Sequence, residues 1–273
     1  MYVETQATAR KPITVPALKA MKREGRKIVA LTAYDASFAY QLEVASIDLV
    51  LVGDSLGMVI QGHTSTLPVT LDDMVYHCAM VCRGLRASML VADLPFMSYR
   101  DIGHALQASA RLMAEGGAAM VKLEGAGWVC EIIQHLTERE VPVCAHLGLT
   151  PQSVHKLGGY RVQGRDQAAA EQLLVEARDV QQAGASLLVL EAVPATLAER
   201  ISEELVIPTI GIGAGVDCDG QILVLYDMLG ITPGKRPRFS KDFLQGHGSI
   251  FEALSAYAED VRSGRFPTSD HCY

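Results

Sequence analysis

The sequence lacks the features that define several large protein classes. No apolar run is long enough to cross a membrane, because each is strand-sized and broken by charge. The N-terminal stretch MYVETQATARKPITVP has no apolar segment of the kind a secretory signal carries, so a cytoplasmic protein is expected. Positive charge is not in excess: Lys and Arg number 24 against 31 Asp and Glu, a net charge of −7, which argues against a nucleic-acid partner. The six cysteines, at 78, 82, 130, 144, 218 and 272, follow no pairing pattern, as suits a reducing compartment. Cys78 and Cys82 stand four apart on an expected helix. No CxxC or HxxxH completes a metal site with them, so they read as ordinary thiols. No dinucleotide-type glycine fingerprint follows the first apolar run, and no phosphate loop is obvious.

What is present is a repeating alternation. A short leading helix is expected in TVPALKAMKREGRK, with Pro16 in its first turn and Gly25 at its stop. Continuous apolar runs then recur at 28–34, 48–53, 88–93, 118–124, 141–148, 186–192, 207–215 and 221–229. Such runs, unlike alternating ones, mark strands buried on both faces in a parallel sheet. Helical patterns separate most of them. Thr70 and Asp73 form a capping-box signature before LDDMVYHCAMVCRG, and Asp166 and Pro194 are suited to open two later helices. Eight strand candidates in 273 residues with 49% hydrophobic content fit a single-domain (β/α)8 barrel preceded by a short N-terminal helix. A doubly wound open sheet is the rival, and the strand count and missing fingerprint favour the barrel. The barrel is expected over residues 13–267, between a loose polar tail at 1–12 and a C-terminal tail at 268–273.

The stretch DLVLVGDSLGMVIQG ends an apolar run in Gly53, Asp54 and Ser55. The other strand ends repeat this habit. Strand three ends in Asp93, strand four carries Lys122 and Glu124, strand five carries His146, and strand six ends in Glu191. Lys122 and Glu124 are two apart and so share a strand face. Taken singly, an Asp after a strand is usually a cap, a His a satisfied core residue, and a Lys beside a Glu an ion pair. Together they fall at the strand ends, where a barrel gathers its chemistry. Burying that many charges is costly unless a metal or substrate compensates. Asp54, Asp93 and Glu124 are hard oxygen donors without Cys or paired His, which favours Mg²⁺ over Zn²⁺. Such a site suits a 2-oxo acid held for enolate formation, with Lys122 adding positive charge and Glu191 taking a proton alpha to the ketone.

The blocks VGDSLGMVIQGHTSTLPVTLDDMVYH, VADLPFMSY, VKLEG, VPVCAHLGLTPQSVHKLGGYRVQGR, LLVLEAVP and IPTIGIGAG, with others from about Val15 to Pro267, resemble the ketopantoate hydroxymethyltransferase family. The resemblance implies Mg²⁺-dependent transfer of a one-carbon unit from 5,10-methylenetetrahydrofolate to 3-methyl-2-oxobutanoate in pantothenate biosynthesis. It implies Asp54 and Asp93 as metal ligands, Glu124 as an outer metal carboxylate, and Asp54, Ser55, Asp93 and Lys122 as keto-acid contacts. Glu191 would be the proton acceptor, and His146 would line the site. A homo-oligomer, a decamer in the family, is implied. The C-terminal stretch PTSDHCY departs from the family pattern and is expected to stay clear of the site. A carbon–carbon lyase or phosphomutase on a related barrel is one alternative, but the loop QGHTSTLPVT lacks the cysteine that one lyase branch uses. A keto-acid or folate binder without catalysis is another, and it would not require a base at Glu191. The basic loop ITPGKRPRFS, with Lys235, Arg236 and Arg238, reads first as a solvated loop or subunit contact, and second as a site for an acidic folate tail.

Overall fold

The computed structural model describes residues 10–232, 234 and 236–273. Along the chain run α1 (Val15–Arg23), β1 (Ile28–Thr32), α2 (Ala36–Val44), β2 (Leu49–Val52), α3 (Leu56–Val59), α4 (Leu71–Gly84) and β3 (Met89–Asp93). Then follow α5 (Ile102–Ala114), β4 (Met120–Glu124), α6 (Trp128–Thr137), β5 (Val143–Gly148), a 3₁₀ turn at Pro151–Ser153, α7 (Val154–Leu157) and α8 (Gln167–Gln182). The chain ends with β6 (Leu187–Glu191), α9 (Ala195–Glu204), β7 (Thr209–Ile212), β8 (Gly220–Leu223), α10 (Leu225–Met228), α11 (Ile250–Arg262) and a 3₁₀ turn at Ser269–His271.

The eight strands pair in sequence order, all parallel, and β1 pairs with β8 to close a barrel. The expected (β/α)8 architecture with its leading helix is therefore the observed one. Every residue of β1, β2, β3 and β4 is buried, which explains why the strands read as unbroken apolar runs. One face fills the barrel interior and the other meets the helical ring. Thr70 and Asp73 make the reciprocal capping box at α4, and Asp166 caps α8 through the Ala169 amide. The seventh crossover, residues 213–219, carries no helix.

Two expectations are corrected. The last apolar run, taken as a strand over 221–229, ends as a strand at Leu223. There the Leu225 amide donates to the buried Thr32 hydroxyl at 2.9 Å and the chain turns into α10. The seventh run likewise stops at Ile212, where Gly213 takes φ +64°. Residues 1–9 of the expected tail lie outside the described residues. Arg10 donates to the Ile47 carbonyl at 2.7 Å and the Ser88 hydroxyl at 2.8 Å.

Candidate active site

Parallel register decides which side chains meet at the carboxyl ends of the strands. Asp93 stands beside Lys122, Glu124 beside His146, and Glu191 beside Gly148, one step along from the pairing of Leu147 with Leu190. The Lys122 ammonium donates to Asp93 Oδ1 at 2.6 Å, with both side chains almost fully buried. The opposite oxygen, Oδ2, accepts from the Asp54 amide at 3.1 Å. Gly53 makes that approach possible. A Cβ there would lie 2.9 Å from Ser55 Oγ and 3.3 Å from Asp93 Oδ2. The abrupt Gly-Asp-Ser after β2 thus leaves room for a neighbouring strand's carboxylate and aims an amide at it.

His146 lies between two acids. Its Nδ1 is 3.5 Å from Glu124 Oε1 and its Nε2 is 3.3 Å from Glu191 Oε2. Neither ring nitrogen makes a hydrogen bond of good geometry, although both are buried. Burial and the Lys122 charge push the His146 pKa down, but Glu124 and Glu191 outweigh them and hold it above the usual histidine value. After Glu191 the chain enters the left-handed region at Ala192, φ +48°, a costly conformation for a non-glycine residue that recurs at functional sites.

Lys122 shows the same contest. Burial opposes its charge, yet Asp93, Glu124 and Asp54 together raise its pKa, so it is held as an ammonium. Asp54 goes the other way. Burial first, then the facing Asp93 and Glu124 charges, lift its carboxyl well above the usual carboxylate range. A cation placed among these acids would relieve that cost. Their oxygen-only donor set fits a hard divalent ion. Among the described residues no three or more His, Cys, Asp or Glu side chains converge as a finished metal cage. Mg²⁺ does not require one, because it takes one or two carboxylates and completes its shell with water and substrate oxygens.

All seven residues singled out in the sequence, Asp54, Ser55, Asp93, Lys122, Glu124, His146 and Glu191, line one cavity of about 830 Å³. Residues that the sequence reading did not find hold them in place. Gln152, on the 3₁₀ turn after β5, donates its side-chain amide to Asp54 Oδ2 and to the Leu94 carbonyl, each at 2.9 Å. Its backbone amide donates to Glu124 Oε2 at 3.0 Å, and its Oε1 accepts from the Tyr99 hydroxyl at 2.7 Å. Tyr34, buried at the end of β1, shares a 2.9 Å hydrogen bond with Ser55 Oγ. Tyr99 stacks on Trp128 at 6.2 Å between ring centroids.

One expectation fails here. The C-terminal stretch does reach the site, because Tyr273 lines the cavity. Its carbonyl accepts from the Ala195 amide at 3.0 Å, and its ring packs against Gly213 beside Phe239. Gly213, just after β7, therefore leaves space for two aromatic rings. Of the basic loop, Lys235 lies outside the described residues. Arg236 pairs with Asp242 at 3.1 Å, and Arg238 sits over the Tyr273 ring at 5.4 Å. Cys78 is buried, while Cys82 donates to the Gly117 carbonyl. No helix among the described residues is long and apolar enough to cross a membrane.

The sequence profile of the family described as ketopantoate hydroxymethyltransferase matches residues 12–269. The chain is 56% identical over 273 residues to the 3-methyl-2-oxobutanoate hydroxymethyltransferase of Alkalilimnicola ehrlichii, covering 100% of this chain and 99% of that one. It is also 56% identical over 268 residues to the enzyme of that name from Burkholderia thailandensis, covering 98% of each. Among solved structures, it is similar to a putative phosphonomutase from Burkholderia cenocepacia, with a TM-score of 0.63 at 14% identity over 79% of this chain and 94% of that one. An oxaloacetate acetylhydrolase in complex with oxalate gives a TM-score of 0.61 at 15% identity over 94% and 99%. At such identities these two likenesses concern the fold alone.

Proposed function

The chain belongs to the ketopantoate hydroxymethyltransferase family, and from that premise we propose how its barrel mouth transfers a hydroxymethyl group to 3-methyl-2-oxobutanoate, forming 2-dehydropantoate. The one-carbon donor in this reading is 5,10-methylenetetrahydrofolate. The observation that best supports the site assignment is the row of contacts at the cavity floor, from Lys122 and Asp93 to Asp54, then by way of Gln152 to Glu124, His146 and Glu191.

Asp54 and Asp93 are the residues that would hold Mg²⁺, with Glu124 as an outer carboxylate. When bound there, Mg²⁺ supplies Lewis acidity toward the oxygens of a 2-oxo acid. The remaining work falls to the chain itself. Lys122, kept charged by its acidic neighbours, and Ser55, fixed by Tyr34, hold the carboxylate end of the keto acid. Apolar side chains of the barrel mouth, among them Leu51, Val189 and Ile212, receive its branched end and exclude water. Glu191, less buried than the other acids and in reach of the cavity, takes the proton from C3. His146 Nε2, 3.3 Å from Glu191 Oε2, is placed to share that proton once Glu191 has taken it. The resulting carbanion forms the new carbon–carbon bond to the donor's methylene carbon; both carbon–nitrogen bonds of that carbon break, one water supplies the hydroxyl oxygen, and the C3 proton and a water proton end on the two nitrogens of the departing tetrahydrofolate. The catalytic domain is assigned to residues 13–267, and the working form is a cytoplasmic homo-oligomer, a decamer on the family pattern.

The test is deuterium exchange at C3 of 3-methyl-2-oxobutanoate, followed by NMR with and without Mg²⁺ and without folate. Mg²⁺-dependent exchange is expected. Glu191→Gln is expected to slow it by roughly 10²-fold or more while keto-acid binding survives, as loss of a general base does. Exchange at the unaltered rate in that variant would assign the base to another residue.

A further inference from the structure

The cavity is larger than the keto acid needs, and its rim differs chemically from its floor. Pockets of about 300–1,000 Å³ accept drug-sized ligands, so 830 Å³ leaves space for a second, larger molecule above the small acid. The floor is buried and rich in carboxylates. The rim carries Arg161 and Arg165, both exposed and both on the segment between α7 and α8. Neither guanidinium has a hydrogen-bond or ion-pair partner among the described residues, whereas Arg178, Arg200, Arg236 and Arg265 each hold an acid. Two arginines without partners lining one cavity bring two guanidinium forks, each suited to a carboxylate, to the same space. Aromatic rings accompany them: Tyr160 next in sequence, and Phe239 with Tyr273 on the wall above β7.

We propose that Arg161 and Arg165 form the anion subsite for the one-carbon donor, gripping the carboxylates of its glutamyl tail, while Tyr160, Phe239 and Tyr273 bracket its flat rings. The proposal rests on the reading of the floor given above. The keto acid does not claim these arginines, because Lys122 and Ser55 already serve its carboxylate on the floor. The donor does need them. Its reacting carbon must come down to the keto acid while its acidic tail stays toward solvent, which is where the two side chains stand.

The experiment measures initial rates of hydroxymethyl transfer for the unaltered enzyme, for Arg161→Ala/Arg165→Ala and for Arg161→Lys/Arg165→Lys, with each substrate varied in turn, and tetrahydrofolate binding by calorimetry. The alanine pair is expected to raise the donor KM at least tenfold and to weaken tetrahydrofolate binding to match, while the keto-acid KM stays within about twofold. The lysine pair, which keeps charge but loses the fork, is expected to recover part of the loss. An unchanged donor KM in the alanine pair overturns the subsite. So does a keto-acid KM that rises alone or in step with the donor KM, which would make the arginines a device for the small acid. If the unaltered enzyme transfers no one-carbon unit and binds no tetrahydrofolate, the functional reading itself fails, and the subsite with it.

Discussion

Gln152 makes hydrogen bonds to two acids that would otherwise repel each other, Asp54 through its side chain and Glu124 through its backbone. Tyr99 in turn fixes which way its amide points, since the phenol donates to Oε1 and leaves the NH₂ for Asp54. Removing a hydrogen bond to a charged group costs about 1.5–3 kcal/mol. Gln152→Ala is therefore expected to weaken Mg²⁺ binding by roughly ten- to a hundredfold. Calorimetric Mg²⁺ titration checks this, and an unchanged affinity would mean that Asp54 keeps its place without the amide. The acids of the floor are legible in the sequence because they interrupt apolar runs at the one place where a parallel strand can tolerate a charge. Gln152 and Tyr34 are not. A glutamine on a 3₁₀ turn and a tyrosine after a strand break no pattern, and only the folded contacts reveal what they hold. Tyr273 is missed for another reason: nothing in the sequence says that the last residues fold back over β7.

At the level of elements, the strands were the most readable part because burial on both faces writes itself as unbroken hydrophobicity. The helices were less so. Neither α2 nor α11 stands out in the sequence reading, although both are capped, by Asp35 and Ser249. The eighth strand is shorter than its apolar run, since α10 continues the same apolar composition in a helix. One helix residue does unusual work. Glu43 on α2 is buried, and its carboxylate accepts from the Arg86, Ala87 and Ser88 amides at 3.0–3.1 Å, pinning the turn into β3. Burial would raise its pKa, but those amides prevail and hold it below the usual glutamate value. The native state thus releases this proton more readily than the unfolded chain does. The stabilisation is complete above the unfolded pKa near 4.5 and is lost as pH falls through the lower native value. Glu43→Gln is expected to cost about 2 kcal/mol at pH 7. The gap in stability should narrow as pH drops below about 4.5, readable by thermal melts at pH 7 and pH 4. A gap constant across that range would remove the carboxylate from the account.

For the molecule as a whole, closure of the barrel is the demanding step, since β1 and β8 come from opposite ends of the chain. Tyr257 of α11 crosses that seam. Its hydroxyl reaches the Ala30 carbonyl on β1 at 2.9 Å and the Gln221 carbonyl on β8 at 3.1 Å, with the ring fully buried against Phe243 and Phe266. At the other end of the seam, Asp219 accepts from Lys22 of α1 at 2.7 Å and from the Thr209 amide at 2.8 Å. Tyr257→Phe keeps the packing and removes the hydroxyl. It is expected to cost about 1–2 kcal/mol. Amide exchange should quicken in β1 and β8 ahead of β4 and β5, and uniform quickening would argue against a local seam.

The cavity that holds the acids at its floor and the arginines at its rim imposes a queue. With the donor seated at Arg161 and Arg165 as proposed, it stands over the floor that the keto acid must reach, so the small molecule is expected to bind first and the large one second. Departure runs in reverse. The same shape carries a penalty: donor that settles early bars the way over an empty floor. Turnover is then expected to decline as donor rises at scarce keto acid, and to return when keto acid becomes plentiful.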